Sequence, residues 1–465
     1  MLVSRFRIGK EYPNLWTMKL IDRIEPQLII GIMYEPEIIF RLNETYLLAP
    51  NGVPYEKIHK VNYRQGKIWL NDELVDEDYL LFQPVRYHEA SFELNDVTIG
   101  VHFHWERKED QQFKGALKII IENEKLTAIN ILPLEDYLVS VISSEMNAAA
   151  SLELLKAHAI TSRSWLLAQL EKGKVVQHSS NAYQSITETS EEYIRWYDRE
   201  DHDNFDVCAD DHCQRYQGIT RQSTSIVEKA IAETRGMLLM DDETVCDARY
   251  SKSCGGITET FENVWEPEVH PYLQSIVDNL KLPEGFEADL RDEKAAEKWI
   301  RNSPEAFCNT NEKEVLSQVL NDYDQETKDF YRWKITYQQA DLAQLIARKT
   351  GKDFGAILDL VPLERGQSGR IIKLKIVGSK LTLIIGKELE IRKSLSESHL
   401  YSSAFVVDKH NFTNDIPDEF TLTGAGWGHG VGLCQIGAAM MGAKGYQYDE
   451  ILMHYFPAAT ISKEY

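Results

Sequence analysis

No stretch of the chain approaches eighteen consecutive apolar residues, so no helix in it is expected to cross a bilayer. Positive charge is scarce: 51 lysines and arginines stand against 73 aspartates and glutamates, a formal net charge of -22, and the acidic residues are spread along the chain instead of forming a tail. A phosphate backbone would be repelled by that balance, which argues against nucleic acid as the main partner. Cysteine is thin as well. Six in 465 residues are too few for a disulfide scaffold. The opening "MLVSRFRIGKEYPNLWTMKL" has basic residues but lacks the apolar core of a secretory signal, so the protein is expected either to stay inside or to have lost its leader. What remains is globular text, 43% apolar and 27% charged, long enough for two or three domains or for one enzyme fold with insertions.

From Leu28 to about Leu132 the chain is rich in β-branched residues and broken by Gly, Asn and Pro, as in "QLIIGIMYEPEIIF" and "GALKIIIENEKLTAINIL", and predicts strands. Within this region "VHFHW" places His102 and His104 on one strand face. The period changes after Pro133. Leu134, Tyr137, Leu138, Val141 and Ile142 recur at helical spacing, and "SLELLKAHAITSRSWLLAQLEKG" repeats the sign with Ser151 as cap and Gly173 as stop. Two helices joined at 146–150 follow, leaving Glu145 at the end of the first. Residues 174–220 read as a long polar loop that needs help to hold a shape, and "IVEKAIAETRG" as a short helix before a hairpin turning at 241–243. Helical, charged text returns over about 280–337, and "GRIIKLKIVG" alternates as a strand. The fold class is therefore α+β: a mixed, strand-rich core with a two-helix segment and a helical insertion.

Four constellations carry chemistry. Glu145, flanked by Ile142 and Met146 at a helix end, could be desolvated enough for general acid and base work, although most glutamates at helix ends are solvated. In "HDNFDVCADDHC", His202, Cys208 and Cys213, with His212 as a fourth candidate, form a zinc ligand set of imidazole and thiolate. "ARYSKSCGGITETFENVW" puts Ser253 and Cys254 before a Gly pair, with Thr258, Glu259, Asn263 and Trp265 beyond. The block "GAGWGHGVG" has no Gly-Lys-Ser/Thr after it, so it is not a phosphate loop. Its glycines allow backbone to approach a bulky ligand, Trp427 offers a face for a sugar ring, and His429 offers a hydrogen-bond partner.

Taken in order, "LEDYLVSVISSEM" with "LELLKAHAITSRSW", "YSKSCGGITETFENVW", "ERGQSGRIIKLKIVG" and "GWGHGVGLCQIGAAMMGAKGYQYDEILMHYF" resemble the stage II sporulation protein D and LytB amidase-enhancer family over about 134–457. The resemblance implies a β-rich region of unknown role over 1–125 and a family domain over 126–465, with the insertion at about 280–337. It implies peptidoglycan glycan strands as ligand, a cell-wall amidase as a partner, and hence a place in the cell envelope or periplasm. It implies Glu145 as the catalytic residue of a lytic transglycosylase; Ser253, Cys254, Thr258, Trp427, His429 and Gln435 around the substrate; and structural zinc on His202, Cys208, Cys213 and His212. The chain departs from the family pattern at Asn147, where proline is usual, at His158 in "KAHA", and at Cys254 and Cys434, where serine is common. Three rivals accompany this reading: a non-catalytic amidase enhancer, a zinc-dependent amide hydrolase, and a cysteine hydrolase using Cys254 or Cys434 with His429.

Overall fold

The computed structural model describes residues 24–100, 106–147, 150–176, 185–197, 202–210, 213–220, 223–319 and 329–465. Among them run nine helices and twenty-four strands in several sheets, the α+β class expected. His102, His104 and His212 lie outside the described residues.

The N-terminal text folds as predicted, because its alternation buries one face. Strands Gln27–Glu35 and Glu37–Ala49 are separated by Pro36, and the second reads buried and exposed in turn around Ile38, Phe40 and Leu42. Ala116–Glu122 and Lys125–Pro133 form a hairpin whose turn residues, Asn123 and Glu124, both take positive φ, the twist that suits a tight antiparallel turn. These strands belong to one eleven-stranded sheet that also takes in Val207–Cys208, paired in parallel with Gln27–Glu35. The 125/126 position falls in that hairpin, inside the sheet.

The helices follow in chain order: α1 Leu134–Glu145, α2 Leu152–Val176, α3 Ser225–Glu233, α4 Glu293–Arg301, α5 Lys313–Val319, α6 Gln339–Thr350, α7 Glu388–Ser394, α8 Gln435–Ala443 and α9 Tyr448–Tyr455. Helix α2 runs past Gly173, which was expected to stop it. An interior glycine costs only about 1 kcal/mol relative to alanine, too little to end a helix of this length packed against a core. Among its described residues, the 280–337 segment is less helical than its composition suggests. It holds α4, α5 and the strand Arg332–Gln338, which pairs with Ile416–Ala425. The strand Ile371–Gly378 buries Ile372, Leu374 and Ile376 and turns Lys373 and Lys375 outward, as its alternation predicts.

One large apolar core runs from Leu28 to Ala459 and joins the N-terminal sheet to α1, α2, α8 and α9. A second lies around Leu342, Ile371, Leu374 and Leu422. No described helix is long and apolar enough to cross a membrane.

Candidate active site and metal loop

Helix α1 begins at the end of a sheet strand with Glu135 and Asp136 in its first turn, where acidic side chains suit the positive end of the helix. It ends at Glu145. Met146 is already extended, with φ -115 and ψ 149, yet its N–H still donates to the Ile142 carbonyl. Glu145 is half-buried, and no partner for its carboxylate occurs among the described residues. The turn that follows is clamped from two sides. The Asn147 N–H donates to the Gln318 carbonyl at 2.9 Å and the Ser151 N–H to Gln318 Oε1 at 3.0 Å, which fixes the turn to α5. On α8, Gly442 leaves room for Ser151 Oγ, 2.6 Å from where a Cβ would stand. Lys252 joins the same elements: its Nζ donates to the Val319 carbonyl at 2.7 Å, and its own carbonyl accepts from the Ile436 N–H.

The glycine block lies against "SKSCGG". Ser253 and Trp427 exchange two backbone hydrogen bonds, of 3.0 and 2.7 Å, and Tyr250–Ser251 pairs in parallel with Leu433–Cys434. Gly426, Gly428, Gly430 and Gly432 all take positive φ, and the space beside them is filled by protein: the Arg370 guanidinium at Gly430 and the Arg249 carbonyl at Gly432. The block is therefore poor in side chains because of its own packing, where an open approach for ligand was expected. Trp427 is half-buried between Tyr401 and Phe330, with ring centroids 4.3 and 4.8 Å away.

Of the other residues expected at the substrate, Ser253, Cys254, Thr258 and Gln435 are all interior. Thr258 Oγ1 donates to the Gln274 carbonyl and accepts from the Ile276 N–H. The Gln435 side chain turns to His158, with Nε2 to Nε2 at 3.0 Å, and the other imidazole nitrogen meets Ser162 Oγ at 3.1 Å. His429 is half-buried, its Nδ1 accepts from the Val431 N–H at 3.0 Å, and its ring packs edge-on against Trp265. Burial holds this imidazole well below its ordinary pKa, and the Arg249 and Arg370 charges push the same way, so it is neutral at physiological pH.

Sequence reasoning missed the cations behind the glycine block. Arg249 lies 4.3 Å over the Trp265 ring, a cation–π contact. Arg370 is 1% exposed and bridges two segments, donating to the Cys254 and Gly428 carbonyls at 3.1 Å each. It also reaches Ser368 Oγ, which donates in turn to the fully buried Glu259. Arg370 was visible only as part of "ERGQSGR", and nothing in that spacing announces a buried guanidinium.

The polar loop after α2 is sewn to the sheet edge. The Asp206 N–H donates to the Ile29 carbonyl, Asp206 Oδ2 accepts the Ile29 N–H, and the Ala209 N–H donates to the Gly31 carbonyl. The Phe205 ring occupies the space a Cβ on Gly31 would need and stacks on His202 at 4.5 Å. The ligand atoms of His202, Cys208 and Cys213 all lie within 4.8 Å of one another, with Cys213 Sγ 3.5 Å from His202 Nε2. Three soft ligands converging in a polar loop fit a zinc ion. A cleft of about 340 Å³ opens beside Cys208 between Gly31–Glu35 and Phe205, and Glu145 does not line it.

Glu145 and the His202 loop fall within residues 122–240, a segment matched by the family model for stage II sporulation protein. That match supports kinship with the SpoIID/LytB family over this segment. A second model, described only as a domain of unknown function, matches residues 259–432. Among the chain's relatives, the stage II sporulation protein D of Bacillus subtilis is 24% identical over 72% of this chain and 76% of that protein. An uncharacterized protein of Brachyspira hyodysenteriae is 24% identical over 94% of this chain and 87% of its own length. The amidase enhancer of Bacillus subtilis is 25% identical over 69% of this chain but 40% of that protein.

Proposed function

We propose that this protein, whose likeness to SpoIID and amidase-enhancer relatives supports a role at the cell wall, is a peptidoglycan lytic transglycosylase of the cell envelope with Glu145 as its acid and base. The observation that carries the reading is the clamped α1–α2 turn. It ends α1 on a half-buried carboxylate that has no partner among the described residues, inside the segment the family model matches. A group held so, and committed to no other contact, is free to trade a proton with substrate.

In this reading protonated Glu145 gives its proton to the glycosidic oxygen between N-acetylmuramic acid and N-acetylglucosamine, and the C1–O bond breaks. The carboxylate then takes the proton of the C6 hydroxyl as that oxygen bonds to C1, closing a 1,6-anhydro ring and leaving Glu145 protonated again. No water is consumed, so one carboxylate suffices where glycoside hydrolysis uses two. Trp427 and Tyr401 supply an aromatic face for a sugar ring. The interior Ser253, Cys254, Thr258 and Gln435, with neutral His429, set the shape of that wall. His202, Cys208 and Cys213 hold zinc as a structural tie that fixes the loop against the sheet. Glycan strands stripped of stem peptides are the preferred substrate.

The test incubates wild type and Glu145→Gln with purified strands, intact and stripped, and reads 1,6-anhydro ends by mass spectrometry. Wild type is expected to form them and Glu145→Gln to lose at least about 100-fold of the rate, the scale of a missing general acid. Equal anhydro product from a folded Glu145→Gln would remove Glu145 from the chemistry. A second reading, a glycan-binding activator of an amidase, is favoured by the likeness to a protein named amidase enhancer. It predicts no cleavage by either form, unchanged strand binding by both, and faster turnover of an added amidase.

A further inference from the structure

Away from the loop of His202, the interior holds a second group of ligands that the proposed function does not use. The Sγ atoms of Cys254, Cys308 and Cys434 and a carboxylate oxygen of Asp278 lie within 4.8 Å of one another, and all four residues are buried. They come from four places: the turn after Tyr250–Ser251, the segment leading into 280–337, the insertion itself, and the residue that caps α8. We propose that Cys254, Asp278, Cys308 and Cys434 form a buried tetrahedral site for a soft divalent cation, zinc, distinct from the His202 loop.

Three features of the geometry support this. Cys254 Sγ and Cys308 Sγ are 3.7 Å apart. A disulfide needs about 2.05 Å, whereas two thiolates about 2.3 Å from one tetrahedral zinc stand about 3.8 Å apart. The sulfurs also accept backbone hydrogen bonds, from the Cys254 N–H to Cys434 Sγ at 3.2 Å and from the Gly256 N–H to Cys254 Sγ at 3.4 Å, the kind of outer contact that orients thiolate ligands. Finally, Asp278 is fully buried, and among the described residues no lysine, arginine or histidine forms an ion pair with it. Its carboxylate accepts from the Tyr455 hydroxyl at 2.6 Å and from the Cys308 N–H at 2.8 Å. A carboxylate is not kept charged in such a place without a cation. Gly437 on α8 makes room for it: a Cβ there would meet Asp278 Oδ1 at 2.5 Å.

The local charges fit. Three thiolates and a carboxylate exceed the charge of one zinc. Two guanidinium groups sit on the same turn to offset the excess, Arg370 on the Cys254 carbonyl and Arg332 on the Gly255 carbonyl, each at 3.1 Å. The ion would tie the insertion and α8 to the turn at Ser253, directly behind the glycine block.

The test counts metal on the full chain grown with zinc. Native mass spectrometry and elemental analysis are expected to find two zinc ions per chain in wild type, one in Cys208→Ser/Cys213→Ser, and none when Cys308→Ser is added. Cobalt loaded into Cys208→Ser/Cys213→Ser should give the thiolate-to-metal charge transfer and tetrahedral bands of a site with three sulfurs. Should that variant fail to fold, the wild-type count alone decides between two ions and one. A folded Cys208→Ser/Cys213→Ser that takes up neither zinc nor cobalt, or that shows fewer than four thiols when denatured, would overturn the site.

Discussion

Gly430 has no room for a methyl group. Its φ is 79, and a Cβ would fall 2.3 Å from Cζ of Arg370 and within 2.6 Å of both terminal nitrogens. Gly430→Ala therefore costs twice, once for a left-handed alanine and once for displacing a buried guanidinium that holds the Cys254 and Gly428 carbonyls. We expect about 2–4 kcal/mol of lost stability in urea unfolding, with the proposed transglycosylase activity falling in step; a change below about 0.5 kcal/mol would mean that Arg370 moves away freely. The same residues show how far a sequence can be read at this scale. The glycines of "GAGWGHGVG" and the isolated Glu145 stand out, because unusual composition and a helix end are local signals. The reason for the glycines is not local: Arg370 lies sixty residues earlier, and only the packed structure puts it under Gly430.

Helices α1 and α2 are joined by more than their turn. Glu135 Oε1 accepts from Arg163 Nε at 3.0 Å and Oε2 from Nη2 at 2.7 Å, a two-pronged pair whose side chains are 8% and 0% exposed. Arg163 also holds the Met237 carbonyl, and the Tyr465 hydroxyl donates to Glu135 Oε1 at 2.7 Å. Removing one member leaves the other charged, buried and unpaired, so Glu135→Ala should destabilise by about 3–5 kcal/mol. Glu135→Ala/Arg163→Met should recover part of that loss, because the stranded charge is then gone. Denaturant midpoints of the three proteins check it; a single variant as stable as wild type would refute the tie. At this scale the sequence was readable wherever a period held, as in the 3.6-residue repeat of α1 and the two-residue repeat of Ile371–Gly378. It was silent on pairing across distance. Tyr250–Ser251 joins Leu433–Cys434 in a parallel ladder, and neither dipeptide carries a pattern that names the other. The grouping of Cys254, Cys308 and Cys434 was hidden for the same reason, since their spacing along the chain resembles no metal motif.

The molecule as a whole keeps several imidazoles neutral inside. Burial, with Lys252 adding to it, brings His158 down to about 3; burial brings His454 to about 4; burial and nearby Arg392 and Lys393 bring His399 to about 4; and His429 is held well below its ordinary value. In the unfolded chain each titrates near 6.5. Between those values the unfolded state binds protons that the folded state refuses, so stability is full above about pH 7 and is lost as the pH falls through 6.5. A fully buried one such as His158 contributes a slope of about 1.4 kcal/mol per pH unit in that window. Wild type should therefore weaken steeply from pH 6.5 to 5 in urea titrations. His158 is the member to test, because it is fully buried and links α2 to Gln435 at the start of α8. Glutamine in its place keeps a polar partner for Gln435 but binds no proton. His158→Gln should unfold with a slope shallower by one proton, about 2 kcal/mol less loss over that range. Acid also strips metal from thiolates and imidazole, but both proteins carry the same ligand sets, so their difference isolates His158. Identical slopes would show that His158 takes up its proton in the folded state, and that the contact between α2 and α8 tolerates a charge.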